Sequence, residues 1–199
     1  RELRIFVTDP KASRKLIRNL ANTGLAITVC SSTAEATQGA DIITTITADK
    51  ALATILRPEM VRAGVHINAV GGDCPGKTEL HPDVLKAASV FVEYEPQTRV
   101  EGDIQQMPVD FPVTEMWRVF AKQTPGRTSV DQITVFDSVG FALEDFSAMR
   151  FIEGVAQRLG IGRQVSLVAP CEDPKDLYGF MMPTVASEPT RLRAVVTHA

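Results

Sequence analysis

The chain has 199 residues, 44% hydrophobic and 23% charged, an ordinary balance for a globular protein of one large or two modest domains. Its formal net charge of −3 gives no electrostatic reason to expect nucleic acid or an anionic membrane as partner, and no apolar run reaches the ~18 residues of a membrane span. Three cysteines, Cys30, Cys74 and Cys171, lie far apart and pair with no nearby histidine. That spacing excludes a zinc knuckle, argues against a disulfide framework and favours a reducing cytoplasm; no metal site is expected.

Strand-like and helix-like segments alternate along the chain. Leu3–Thr8 is a short apolar run with no signal-peptide shape before it, and Asp9-Pro10 offers an N-cap with proline at the first helical position. Ala12, Leu16, Ile17 and Leu20 follow at helical spacing until Gly24. The reading continues with a strand at Ala26–Cys30, a helix at Thr33–Gln38 and a strand at Asp41–Thr47. Next come a helix-compatible stretch at Leu52–Val61, interrupted by Pro58, and a strand at Val65–Val70 that ends in Gly71-Gly72. Val84–Ala88 reads as helix, Val90–Tyr94 and Gln132–Phe136 as strands, and the stretch around Val113–Lys122 as helix. An amphipathic helix spans Ala142–Leu159 and stops at Gly160 and Gly162; a last strand is expected at Val165–Ala169. Such alternation predicts an α/β fold, a mostly parallel sheet with helices on both faces. Ligands of such sheets sit at the carboxyl ends of the strands, so the loops after Thr47, Val70, Tyr94 and Phe136 carry the most interest.

One of those loops has two readings. Gly71-Gly72-Asp73-Cys74-Pro75-Gly76-Lys77-Thr78 satisfies the phosphate-loop pattern G-x-x-x-x-G-K-[ST], and Ile133–Asp137 could supply the apolar strand with a terminal, Mg²⁺-assisting aspartate. Against it, Pro75 has no N–H for a phosphate nest, Asp73 puts a carboxylate inside one, and Pro82 interrupts the helix that should follow. In the alternative, the glycines let backbone approach a flat cofactor and Asp73 projects toward a reacting centre as a general acid/base. Asp73 could equally cap a turn, as Asp often does beside Gly and Pro.

Four blocks weigh on the choice: Ala40–Lys50 (ADIITTITADK), His66–Leu80 (HINAVGGDCPGKTEL), Phe91–Gln106 (FVEYEPQTRVEGDIQQ) and Val135–Arg150 (VFDSVGFALEDFSAMR). Together they resemble the ornithine cyclodeaminase and mu-crystallin family, and the Asp-Cys-Pro-Gly-Lys loop resembles its cyclodeaminase branch. The resemblance implies a Rossmann domain that binds NAD, here residues 1–163. It also implies a substrate and dimerisation domain to which residues 164–199 return. Asp73 is then the catalytic acid/base and a contact to both substrate and cofactor. Val70, Gly71, Gly72 and Lys77 line NAD in the same loop, Thr47 and Ser138 touch the cofactor, and Val139 meets the substrate. Each has a plainer reading: Thr47 an ordinary strand residue, Lys77 a solvated charge, Ser138 the N-cap of the long helix.

The implied reaction is conversion of L-ornithine to L-proline and ammonia. Hydride leaves Cα for NAD⁺, the δ-amine closes a ring on the imine, ammonia departs and the hydride returns. The implied assembly is a cytoplasmic homodimer acting on a small molecule. Alternatives are an imine reductase or amino-acid dehydrogenase of the same superfamily, and a non-catalytic small-molecule binder like mu-crystallin. Two departures from the family pattern stand out. The acidic residue that usually ends the second Rossmann strand is Val7 here; Asp9, two residues on, either binds the ribose or only caps its helix. The G-x-G-x-x-G fingerprint is absent and would precede Arg1, as would the first strand and the groups that hold ornithine's carboxylate. The chain, which opens without an initiator methionine, is therefore expected to be either part of a longer protein or a truncated product that does not catalyse alone, Rossmann-type but truncated at its N-terminus.

Overall fold

The computed structural model describes residues 1–47, 53–163 and 165. The chain forms two compact units, Arg1–Arg150 and Phe151–Ala199. The described part of the second is the C-terminal portion of one helix and the few residues after it.

The first unit begins with β1 (Glu2–Ile5), α1 (Pro10–Leu20), β2 (Ala26–Val29) and α2 (Thr33–Thr37). Asp9 caps α1 by accepting the Lys11 N–H at 2.8 Å, with Pro10 in the first turn. Ser32 caps α2, and Glu35 reaches back to the Ser31 N–H and hydroxyl, both at 2.7 Å. The chain continues through β3 (Ile42–Thr45), a 3-10 turn at Pro58–Met60, β4 (His66–Ala69), α3 (Pro82–Ala87) and β5 (Ser89–Val92). Then follow α4 (Glu95–Glu101), a 3-10 turn at Asp103–Gln106, β6 (Thr114–Glu115), α5 (Met116–Phe120), β7 (Thr134–Asp137) and α6 (Ala142–Leu159).

Every strand pair is parallel. β1 and β2 form one sheet, and the others form a second in the order β3-β4-β7-β5-β6. Among the described residues β1 pairs only with β2 and β3 only with β4, so each presents an open edge. The burial alternation along β3 and β4 turns Ile43, Thr45, Ile67 and Ala69 to the core. There they join Val90, Val92 and Val135 against Leu56, Val65, Leu80, Val84, Leu85 and Ile104. On the opposite face Ile42, His66, Phe91 and Thr134 line a shallow cleft with Met116 and Val119 of α5.

Three expectations change. Residues 53–61 of the stretch read as helix-compatible but interrupted by Pro58, Leu52–Val61, hold a 3-10 turn starting at that proline and no α-helix, and Leu56 is buried in a bridge to Leu80 instead; Leu52 lies outside the described residues. A two-residue strand, β6, opens the stretch read as helix at Val113–Lys122. Helix α4, unforeseen, follows β5 after two residues. Apart from Val165, which is exposed and in no strand, the expected strand Val165–Ala169 lies outside the described residues.

Candidate active site

The carboxyl ends of β3, β4 and β7 are level, since Thr45, Ala69 and Asp137 are register partners. The pairing runs one step further: the Val70 N–H donates to the Thr45 carbonyl and the Ser138 N–H to the Ala69 carbonyl, both at 2.9 Å. Val70 and Ser138 are thus the first residues past the sheet, and the segments they open leave it side by side. Thr47, two residues past β3, completes the rim.

The loop after Val70 is tied from beneath. Gln105 donates its amide to the carbonyls of Cys74 and Lys77 at 3.3 and 3.0 Å, and its Oε1 accepts the Gly76 N–H at 2.6 Å. Gly76 has φ +83°, a left-handed turn conformation that favours glycine after Pro75. A Cβ on Gly71 would stand where the Glu79 carboxylate lies, and one on Gly72 would come within 3.2 Å of Asp103 Oδ2. On the side where a Cβ would stand, the room these glycines leave is therefore filled by the protein's own carboxylates, not by a ligand. The same geometry removes the phosphate-loop reading. The N–H groups from Gly76 to Leu80 that a nest would need include four spent within the fold. Gly76 donates to Gln105, Lys77 to Cys74, and Glu79 and Leu80 to Asp103. No helix follows Lys77 until Pro82.

Asp73, Lys77 and Thr47 meet. Lys77, expected in the plainer reading to be a solvated charge, is buried, and its Nζ donates to the Thr47 carbonyl at 2.9 Å and to Asp73 Oδ1 at 3.1 Å. Asp73 itself stays open to solvent, and the hydrogen bond and charge of Lys77 hold its carboxyl below the usual aspartate value. The Thr47 N–H donates to Glu79 Oε1 at 3.0 Å, and its hydroxyl donates to the same oxygen.

On the other side of the rim, Glu93, which directly follows β5, gathers the start of the next loop. It accepts the Ser138 hydroxyl at 2.5 Å, the Val139 N–H at 3.1 Å and the Gly140 N–H at 2.7 Å. Ser138 is therefore not the cap of α6, which begins at Ala142.

Three buried acids underlie both loops, and sequence reasoning gave none of them this part. Asp137, at the end of β7, accepts the N–H groups of Asp103 and Ile104 at 3.0 and 2.8 Å. Asp103 Oδ1 accepts those of Glu79 and Leu80 at 2.8 and 2.7 Å. Glu79 then holds Thr47. Burial pushes Asp137 up to about 7, reinforced by the charge of Asp103; burial likewise raises Asp103 to about 6, with its backbone donors pulling the other way. Glu79, Glu93, Asp103 and Gln105 all lie within the sequence blocks quoted above. Of these only Glu93 carries a local signal, an acid beside a strand's carboxyl end.

Fold and site together define a Rossmann-type α/β protein with a carboxylate–lysine pair at the carboxyl end of its parallel strands. The chain belongs to the ornithine cyclodeaminase/mu-crystallin family, whose model matches residues 1–158. It is 56% identical over 181 residues to an ornithine cyclodeaminase of Brucella suis biovar 1 (strain 1330), covering 91% of this chain and 51% of that protein. A solved lysine cyclodeaminase, described with recognition of L-lysine, L-ornithine and L-2,4-diaminobutyric acid, superposes with TM-score 0.75 at 32% identity; 88% of this chain and 52% of that one are covered. An archaeal alanine dehydrogenase dimer with bound NAD gives 0.74 at 28% identity, covering 84% and 53%. The chain spans about half the length of these relatives.

Proposed function

We propose that the full-length protein carrying this chain is an ornithine cyclodeaminase-type ammonia-lyase that converts L-ornithine to L-proline and ammonia with bound NAD. The observation that carries the reading is the exposed Asp73 carboxylate, held ionised by a buried Lys77 at the strand ends where an α/β sheet binds its ligands. The cyclodeaminase relatives and the NAD-bound alanine dehydrogenase support it.

NAD, when bound, supplies a hydride acceptor that returns the same hydride, so ornithine is rearranged without net redox change. The residues present fit the nicotinamide end of that cofactor. Val70-Gly71-Gly72 offers main chain with a single side chain, Thr47 and Ser138 flank it, and Lys77 stands behind them with its ammonium bound to the Thr47 carbonyl and to Asp73. The glycine fingerprint for the pyrophosphate is not in this sequence. Asp73 attracts the cationic amine of the substrate. With Oδ1 engaged by Lys77, Oδ2 takes the amine's proton and returns one to the departing ammonia. Val139, fixed through its N–H by Glu93, borders the substrate. Residues 1–163 form the cofactor domain and residues 164–199 return to the substrate and dimerisation domain. The assembly is a cytoplasmic homodimer of proline biosynthesis, without a nucleic-acid or membrane partner. No helix among the described residues is long and apolar enough to cross a membrane.

The test is an assay of the full-length gene product with L-ornithine and NAD, in which proline and ammonia form one to one and no NADH accumulates. Net NADH turnover with an amino acid would instead identify a dehydrogenase or imine reductase of the same family. Ligand binding without any turnover would leave a mu-crystallin-like binder.

A further inference from the structure

We propose that Glu79 is a positioning residue of this site: its buried carboxylate fixes Thr47, and through the Thr47 carbonyl it fixes where the Lys77 ammonium stands against Asp73. The inference rests on the reading of Asp73 and Lys77 given above. Four contacts make the chain. Glu79 Oε1 accepts both the N–H and the hydroxyl of Thr47. The Thr47 carbonyl accepts the Lys77 ammonium at 2.9 Å, and that ammonium donates to Asp73 Oδ1 at 3.1 Å.

Glu79 can act as a post because its own backbone is held on both sides. Its N–H donates to Asp103 at 2.8 Å, and its carbonyl accepts the N–H groups of Ile55 and Leu56 at 2.8 and 3.1 Å. Its carboxylate fills the space that Gly71 leaves by having no Cβ. Thr47, by contrast, is exposed and two residues past the last paired residue of β3. Without Glu79, no other described side chain bonds its N–H or hydroxyl, and the carbonyl that receives Lys77 loses its fixed direction.

Packing alone does not account for the residue. Glu79 is 1% exposed, and its Oε2 has no hydrogen-bond partner among the described residues. A buried acid with an unpaired oxygen is costly, and an apolar side chain of similar size would fill the space at less expense. What an apolar side chain cannot provide is an acceptor for two Thr47 donors.

The experiment uses the full-length protein and reads Asp73 in two ways: the acid limb of kcat/KM against pH, and the ¹³C NMR titration of the Asp73 carboxyl, which does not depend on turnover. Glu79→Leu is expected to lower kcat by about 10- to 100-fold, the scale of a small misplacement of reacting groups. It is also expected to move both the acid limb and the Asp73 titration to higher pH, because Lys77 no longer sits where it favours the carboxylate. Glu79→Gln, which keeps an acceptor for Thr47, should recover most of both changes. Should Glu79→Leu fail to fold, Thr47→Val removes the hydroxyl contact alone and should shift the titration the same way by less. An unshifted Asp73 titration in the folded Leu variant, or in Thr47→Val where that variant must stand in, overturns the inference; so does a Gln variant as impaired as Leu. Failure of the underlying reading shows separately, as an Asp73→Asn enzyme with normal turnover.

Discussion

The Lys77 side chain is 3% exposed and that of Asp73 62%, yet Lys77 Nζ and Asp73 Oδ1 lie 3.1 Å apart. The pair is lopsided: a cation rooted in the protein holds an anion that stands in the open. A solvated ion pair between flexible side chains would have little directional effect, because water screens it and both chains lose entropy on meeting. Here one partner is already ordered by the Thr47 carbonyl, so Asp73 alone is free to move, and its carboxyl is drawn below the usual range. A carboxylate kept ionised and accessible suits proton exchange with a cationic amine.

Asp73→Asn preserves shape and removes the titratable oxygen. In the full-length enzyme it is expected to reduce kcat by about 10²–10⁴-fold, the usual contribution of a general acid–base group. NAD affinity, measured by calorimetry, should change little. Retention of near-normal ornithine-to-proline turnover would make Asp73 a turn residue and sink the mechanism.

Lys77→Ala acts on the other side of the pair. It removes a buried charge from the rim and leaves the Thr47 carbonyl without that donor. With that anchor of the rim gone, NAD should bind roughly tenfold more weakly, the scale of one lost hydrogen bond within the site. Asp73, without its cation, should titrate at higher pH, so activity that needs the ionised form is lost earlier on acidification. Equal NAD affinity in a fluorescence titration would remove Lys77 from the cofactor site.

Gly71→Ala tests the close approach in the loop. The added methyl would stand on the buried Glu79 carboxylate, which holds Thr47, so one of the two must shift. Overpacking of this kind typically costs about 1–3 kcal/mol, readable as a lower midpoint in denaturant. Because Glu79 holds Thr47, activity should fall as well. An unchanged midpoint would mean that the loop can move at no cost.

Much of the framework was legible because its signals are local. Ala142–Leu159 was delimited to the residue by helical spacing and by Gly160 and Gly162, both of which have positive φ. Most strands were placed within a residue or two from β-branched runs. Asp9-Pro10 gave the start of α1. Failures came where tertiary contact decided the outcome. Leu56 left a helical pattern to bridge Leu80, and two residues of β6 were recruited by β5. Helix α4 carries a local signal too, a proline in the first turn after Glu95. Asp73, Lys77 and Thr47 were nominated by a motif and by family resemblance. The acids beneath them could not be, because Asp137, Asp103 and Glu79 bond backbone N–H groups that only the folded chain brings near.

The 199-residue chain, produced alone, is expected to associate. β1 and β3 each leave a strand edge unpaired among the described residues, and such edges recruit other chains. Sedimentation should show concentration-dependent oligomers, and calorimetry weak NAD binding or none, since the glycine fingerprint is not in this sequence. Tight, stoichiometric NAD binding by a monomer would contradict both expectations.

Asp103→Asn isolates the cost of buried charge from the worth of the hydrogen bonds. Asp103 is fully buried; Oδ1 accepts the N–H groups of Glu79 and Leu80, while Oδ2 has no partner. An asparagine can keep its oxygen on those two donors and put its amide where the unpaired oxygen was. The folded-state pKa of Asp103 is raised from 3.8 to about 6, so the folded chain binds this proton more tightly than the unfolded chain. The sign follows: the stability contributed by the protonated acid is fully present below the unfolded value and is lost as pH rises through about 6. Asp137, raised to about 7, adds to the same trend and extends it upward. Urea midpoints collected from pH 4 to pH 8 should therefore fall less steeply for Asp103→Asn than for the parent chain between about pH 4 and 6. At pH 8 the variant should be at least as stable as the parent, because no charge has to be kept out of water. A variant much less stable at pH 8 would show that the ionised carboxylate, through its two backbone donors, outweighs its own desolvation.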